Sequence, residues 1–125
     1  MKKTKKITNF AACLVVFLFL CNSVYAWGVN TYIGCNGGAV TATANGSAFS
    51  GFGYIEMDLW VTGPDYSSYK STFGTGYVSL TDNAPFQYDQ YYTVTACAYI
   101  DEDNGTYYAC DTSTCVTPIE PTKKP

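Results

Sequence analysis

The sequence predicts an all-β fold, with about seven short strands in an antiparallel sandwich braced by disulfides. Three observations carry this. Beyond residue 26, tyrosine, threonine, valine and phenylalanine dominate, side chains suited to a pleated, half-buried surface. Apolar and polar residues alternate with period two in several stretches, and none shows helical spacing. Turn-forming residues interrupt those stretches at short intervals, as expected of two stacked antiparallel sheets.

Residues 1–26 read as a cleavable secretory leader. Lys2, Lys3, Lys5 and Lys6 precede an apolar run from Phe10 to Cys21, and the segment closes on Val24-Tyr25-Ala26. Small residues at the first and third of those positions suit signal peptidase. A membrane anchor needs about 20 apolar residues, and this run has 12. A lipoprotein signal would want a small residue where Leu20 stands before Cys21. Cleavage would leave 99 residues, a single domain, and change the formal charge from −3 to −7, with no arginine remaining. Such a polyanion is poorly made for phosphate backbones or anionic bilayers. Nucleic acid is therefore not an expected partner, nor is a membrane once the leader is gone.

The elements follow in order. Val29 to Ile33 alternates, with Val29, Thr31 and Ile33 on one side. Ala39 to Ala44 alternates small apolar residues with Thr41 and Thr43, and Asn45-Gly46 predicts a tight turn. From Phe52 to Thr62 the pattern is clearest. Ile55, Met57, Leu59 and Val61 share one face, and Tyr54, Glu56, Asp58, Trp60 and Thr62 share the other. Gly63-Pro64-Asp65 ends that stretch. Tyr69 to Phe73 and Gly76 to Leu80 read as short strands separated by Gly74, with a turn at Asp82-Asn83. In Tyr91 to Ile100, Tyr92, Val94, Ala96, Ala98 and Ile100 face inward, while Thr93, Thr95, Cys97 and Tyr99 face outward. Asp101 to Gly105 forms a hairpin loop and Thr106 to Asp111 returns. The domain is expected over residues 27–116, with a disordered tail over 117–125, rich in proline and lysine.

Four cysteines remain after cleavage, Cys35, Cys97, Cys110 and Cys115, and two disulfides are the expected outcome in an exported chain of this size. A zinc site would need all four thiolates, since histidine is absent, and no C-x-x-C knuckle occurs. If Asp101 faces Thr106, Cys97 lies opposite Cys110, Tyr99 opposite Tyr108 and Ala98 opposite Ala109. That register matches aromatic with aromatic and small with small. It favours Cys97–Cys110 with Cys35–Cys115. The alternative joins Cys35 to Cys97 and closes Cys110 to Cys115 as a short loop.

Tyr92-x-Val94-x-Ala96-x-Ala98, followed by a polar loop and a return strand, resembles the last hairpin of fibronectin type III and immunoglobulin-like sandwiches. The likeness spans about 20 residues. It implies a small immunoglobulin-like sandwich and no particular activity.

The inventory for catalysis is thin. Without histidine there is no Ser-His-Asp or Cys-His arrangement. Glu56 and Asp58 share a strand face about 6.6 Å apart, a spacing within the range glycosidases use. Outward acid pairs ordinarily just meet solvent, and the chain is expected not to be an enzyme. Asp101-x-Asp103-x-Gly105 has the opening of a calcium loop without the later bidentate glutamate. No metal or cofactor is expected. Asn45-Gly46-Ser47 and Asn104-Gly105-Thr106 are formal glycosylation sequons that coincide with turn-forming pairs.

Binding chemistry is better supplied. Tyr54, Glu56, Asp58 and Trp60 line up as ring, acid, acid, ring, a surface suited to sugar rings and their hydroxyls. Eleven tyrosines, two tryptophans and four phenylalanines follow the leader, more than so small a core can hide, so several must be exposed. The competing explanation is that these rings pair across strands and touch no ligand. The expected role is a secreted, non-enzymatic domain that binds an extracellular protein or glycan. Two alternatives stand beside it: a carbohydrate-binding module using Tyr54 and Trp60, and a secreted inhibitor or small toxin-like effector presenting Gly63 to Ser68.

Overall fold

Period-two alternation sends successive side chains to opposite faces of a strand, so each alternating stretch must bury one face against another sheet. A computed structural model describes residues 28–122; the leader expected over residues 1–26 and the terminal lysines lie outside them. Seven strands form, β1 (Gly28–Gly34), β2 (Val40–Ser47), β3 (Tyr54–Gly63), β4 (Tyr66–Thr75), β5 (Tyr77–Ala84), β6 (Tyr91–Glu102) and β7 (Gly105–Val116), with no helix among the described residues. They make two antiparallel sheets, β1-β2-β5 and β4-β3-β6-β7. Ile55, Met57, Leu59 and Val61 of β3 and Tyr92, Val94, Ala96, Ala98 and Ile100 of β6 meet Val40, Ala42, Ala44 and Val78 from the other sheet in one buried cluster. The inward faces expected for β3 and β6 are thus the core.

Two disulfides brace this arrangement. Cys35, just past β1, is bonded to Cys115 of β7 across the two sheets, and Cys97 is bonded to Cys110 within the four-stranded sheet. The β6–β7 register pairs Asp101 with Thr106, Tyr99 with Tyr108 and Ala98 with Ala109. Pairing extends to Glu102 and Gly105, so the turn is only Asp103-Asn104. Tyr92, wholly buried, donates its hydroxyl to the Pro85 carbonyl at 2.6 Å and accepts from the Gln87 amide at 3.0 Å, which ties down the chain between β5 and β6.

Two expected turns and one expected strand break are strand interior instead. Asn45-Gly46 lies in β2, where Gly46 pairs with both Val29 and Val78. A Cβ on Gly46 would sit 3.1 Å from Val78 Cγ2 and 3.2 Å from Met57 Sδ. Glycine is there for close approach between sheets, not for a turn. The Asn45 amide oxygen accepts from Tyr77 Oη at 2.8 Å and Ser79 Oγ at 2.9 Å. Asp82-Asn83 lies in β5, because Asp82 points inward and finds partners there. Tyr66 Oη (2.7 Å), Ser68 Oγ (2.6 Å) and Lys70 Nζ (3.3 Å) all reach its carboxylate. Gly74 is inside β4, paired with Ile55. The break comes at Gly76, whose φ of +78° suits glycine and lets the chain switch sheets.

At the other border, Thr31 of β1 carries its free backbone edge toward β7. Its amide donates to Asp111 Oδ2 at 2.8 Å, and its carbonyl accepts from Ser113 Oγ at 2.9 Å. Thr117, the first residue of the segment expected to be disordered, is buried and accepts from the Gln90 amide at 2.9 Å. The Asp89 amide in turn donates to the Pro118 carbonyl at 2.8 Å.

Candidate functional site: the outer face of the four-stranded sheet

Antiparallel register turns the outward side chains of β4, β3, β6 and β7 into rows across the sheet. One row reads Tyr69, Trp60, Thr95, Thr112, and the next Ser71, Asp58, Cys97, Cys110. Below these come Phe73, Glu56, Tyr99, Tyr108, and then Thr75, Tyr54, Asp101, Thr106. All four residues singled out in the sequence, Tyr54, Glu56, Asp58 and Trp60, therefore share this face. The rings form two stations separated by the row that carries the disulfide.

At the upper station the Trp60 and Tyr69 rings lie 5.6 Å apart at 46°. Tyr69 Oη donates to Asp58 Oδ1 at 2.7 Å, and that bond, with some desolvation, pushes the phenol above its ordinary pKa. At the lower station Tyr54 and Phe73 are 6.3 Å apart and tilted by 38°, and Tyr99 meets Tyr108 edge to face at 5.6 Å. Tyr54 Oη donates to Glu56 Oε2 at 3.2 Å; desolvation first, then the Glu56 charge, raise this phenol as well. Tyr69, Phe73, Tyr99 and Tyr108 each expose more than half their surface. Rings so exposed are not explained by core packing.

Tyr69 and Phe73 were missed as site residues. The β3–β4 hairpin brings them beside Trp60 and Glu56. Gly63-Pro64-Asp65 reads in the sequence as the end of a strand, and the register that its two-residue turn imposes does not enter that reading. Tyr99 is signalled by its outward position on β6, although nothing local places it beside Glu56.

Between the central strands the lower station encloses an open cleft of about 240 Å³ lined by Tyr54, Glu56, Tyr99, Asp101 and Thr106. Asp101 Oδ1 accepts from Thr106 Oγ1 at 3.1 Å. A second recess, by Phe49 and Asn104, holds Glu102. That carboxylate is already engaged by the Phe49 and Ser50 amides at 2.6 and 3.1 Å, which fixes the β2–β3 connection.

The carboxylates of Glu56 and Asp58 stand on an open sheet surface, each bonded by a tyrosine hydroxyl. Among the described residues no group of three potential ligands is placed to hold a metal ion. Gly63 pairs with Tyr66, so the segment Gly63 to Ser68, expected as a loop, is a two-residue Pro64-Asp65 turn entering β4, with Asp65 and Ser67 exposed and Tyr66 and Ser68 turned toward Asp82. Comparison with protein-family models, with curated proteins and with solved structures finds no match to this chain.

Proposed function

We propose that this chain is an exported, non-enzymatic binding domain with an immunoglobulin-like sandwich fold, whose ligand surface is the outer face of the β4-β3-β6-β7 sheet. Support for the fold comes from the strand orders β1-β2-β5 and β4-β3-β6-β7. It comes also from Tyr92, whose hydroxyl reaches back to the chain just before β6 as a tyrosine corner does. Two disulfides in the described domain are compatible with an extracellular setting.

The observation that carries the binding function is the pair of exposed ring stations flanked by carboxylates on one flat face. Of the extracellular partners such a face suits, a glycan fits best. Trp60 and Tyr54, six residues apart on one strand, span about 20 Å, the reach of an oligosaccharide rather than a single sugar. Rings offer stacking faces. Level with Trp60 and one row beyond it, Thr95, Thr112, Thr93 and Thr114 present hydroxyls on the same surface.

A glycan array probed with the leader-free domain tests this. Binding to a defined set of oligosaccharides, lost in Trp60→Ala while the circular dichroism spectrum is unchanged, is the expected result. Silence across the array, with capture of an extracellular protein that Trp60→Ala abolishes, would transfer the same face to a protein partner.

A further inference from the structure

The lower station has a more specific chemistry than a generic sugar platform. Tyr54 lies directly opposite Asp101, and Glu56 directly opposite Tyr99. Two rings thus occupy one diagonal of a square and two carboxylates the other, around the 240 Å³ cleft. Directly opposed Cβ atoms on neighbouring strands are about 5 Å apart, so all four groups can touch one small ligand group at once.

Among the described residues no cationic side chain is paired with these carboxylates. Asp82 holds Lys70 in the only ion pair among the described residues. Lys70 pairs with the inward-facing Leu59, which places it on the other side of the sheet. Glu56 and Asp101 receive only neutral hydroxyl donors, from Tyr54 and Thr106. A carboxylate pair beside two π faces attracts an organic cation through charge and through the ring quadrupoles together.

Resting on the glycan reading above, we infer that this cleft selects an amino sugar with a free, protonated amine, seated between Tyr54, Glu56, Tyr99 and Asp101. A cationic side chain of a protein is the less suitable source. The cleft lies over β3 and β6, the two central strands, whose backbone groups are already paired on both sides. An extended peptide would find no sheet edge there to add to, and recognition must come from rings, carboxylates and hydroxyls.

The test is titration calorimetry with the disulfide-intact, leader-free domain against four probes of matched length: a glucosamine oligomer, its N-acetylated form, a neutral glucose oligomer and a lysine peptide. The glucosamine oligomer is expected to bind roughly tenfold tighter than the acetylated one, with an advantage that shrinks as salt is raised. The double variant Glu56→Gln/Asp101→Asn should bring the two within about twofold of each other. Tyr99→Ala should weaken both. Thermal melts confirm that each variant is folded.

Equal binding of the glucosamine oligomer and its acetylated form, indifferent to the double variant, would overturn the amino-sugar inference and leave the glycan reading standing. Binding of the lysine peptide alone would overturn both, as would no binding by any probe together with a silent array.

Discussion

Tyr92 holds the Pro85 carbonyl oxygen at 2.6 Å from a side chain that is otherwise enclosed in the core. The same hydroxyl accepts from the Gln87 amide, so one phenol satisfies both a donor and an acceptor of the β5–β6 connection. Removing only that oxygen, in Tyr92→Phe, strands both backbone groups. Urea unfolding should show a loss of about 1–3 kcal/mol with an unchanged slope. A loss below a few tenths would mean that the corner contributes nothing to stability.

Asp82 makes stability depend on pH. Burial pushes its carboxyl upward, but bonds from Ser68, Tyr66 and Lys70, together with the Lys70 charge, outweigh that and hold it below the ordinary value. A depressed folded pKa means that the unfolded chain takes up the proton first. The contribution is therefore complete above the unfolded value of about 3.9 and is lost as pH falls through the folded one. Melting temperatures followed from about pH 5 to about pH 2 should fall less steeply in Asp82→Asn than in the parent. At neutral pH that variant should be less stable by about 2 kcal/mol.

The two disulfides should differ in weight. Cys35–Cys115 spans 80 residues and links the sheets, whereas Cys97–Cys110 spans 13 across a hairpin whose register is already set. Loop-closure entropy alone gives about 4.5 against about 3 kcal/mol. Paired alanine variants compared by denaturant midpoint should rank in that order, and the reverse ranking would defeat the loop argument.

Gly46→Ala tests the close approach of the sheets. The added methyl would press on Val78, Met57 and Ile55 from inside the core, and overpacking of this kind costs about 1–3 kcal/mol. If Asn45-Gly46 were a turn, alanine would instead disturb the β1–β2–β5 pairing. Amide exchange in those strands separates the two, with protection kept across Thr43–Asn45 expected here.

What could be read from residues alone was local. Strict alternation in β3 and β6 set their faces, and matching small and aromatic partners set the β6–β7 register. Gly46 and Asp82 were misassigned for one shared reason. Turn chemistry belongs to the residue and its neighbours, whereas a glycine needed for close approach, or an aspartate with inward partners, depends on strands far along the chain. The ring stations were half legible. Trp60 and Tyr54 follow from alternation, but Tyr69 and Phe73 join them only through the pairing of β3 with β4.

Placing Cys97–Cys110 on the outer face, in the row between the ring stations, has a mechanical consequence. Strand slippage is the easy way for a flat sheet to change the distance between its surface groups, and an edge strand slips most readily. A covalent rung from β6 to β7 at mid-height forbids that movement for Tyr108 relative to Tyr99, and for Thr112 relative to Thr95. The β6–β7 half of the face is therefore locked in one register once the thiols oxidise.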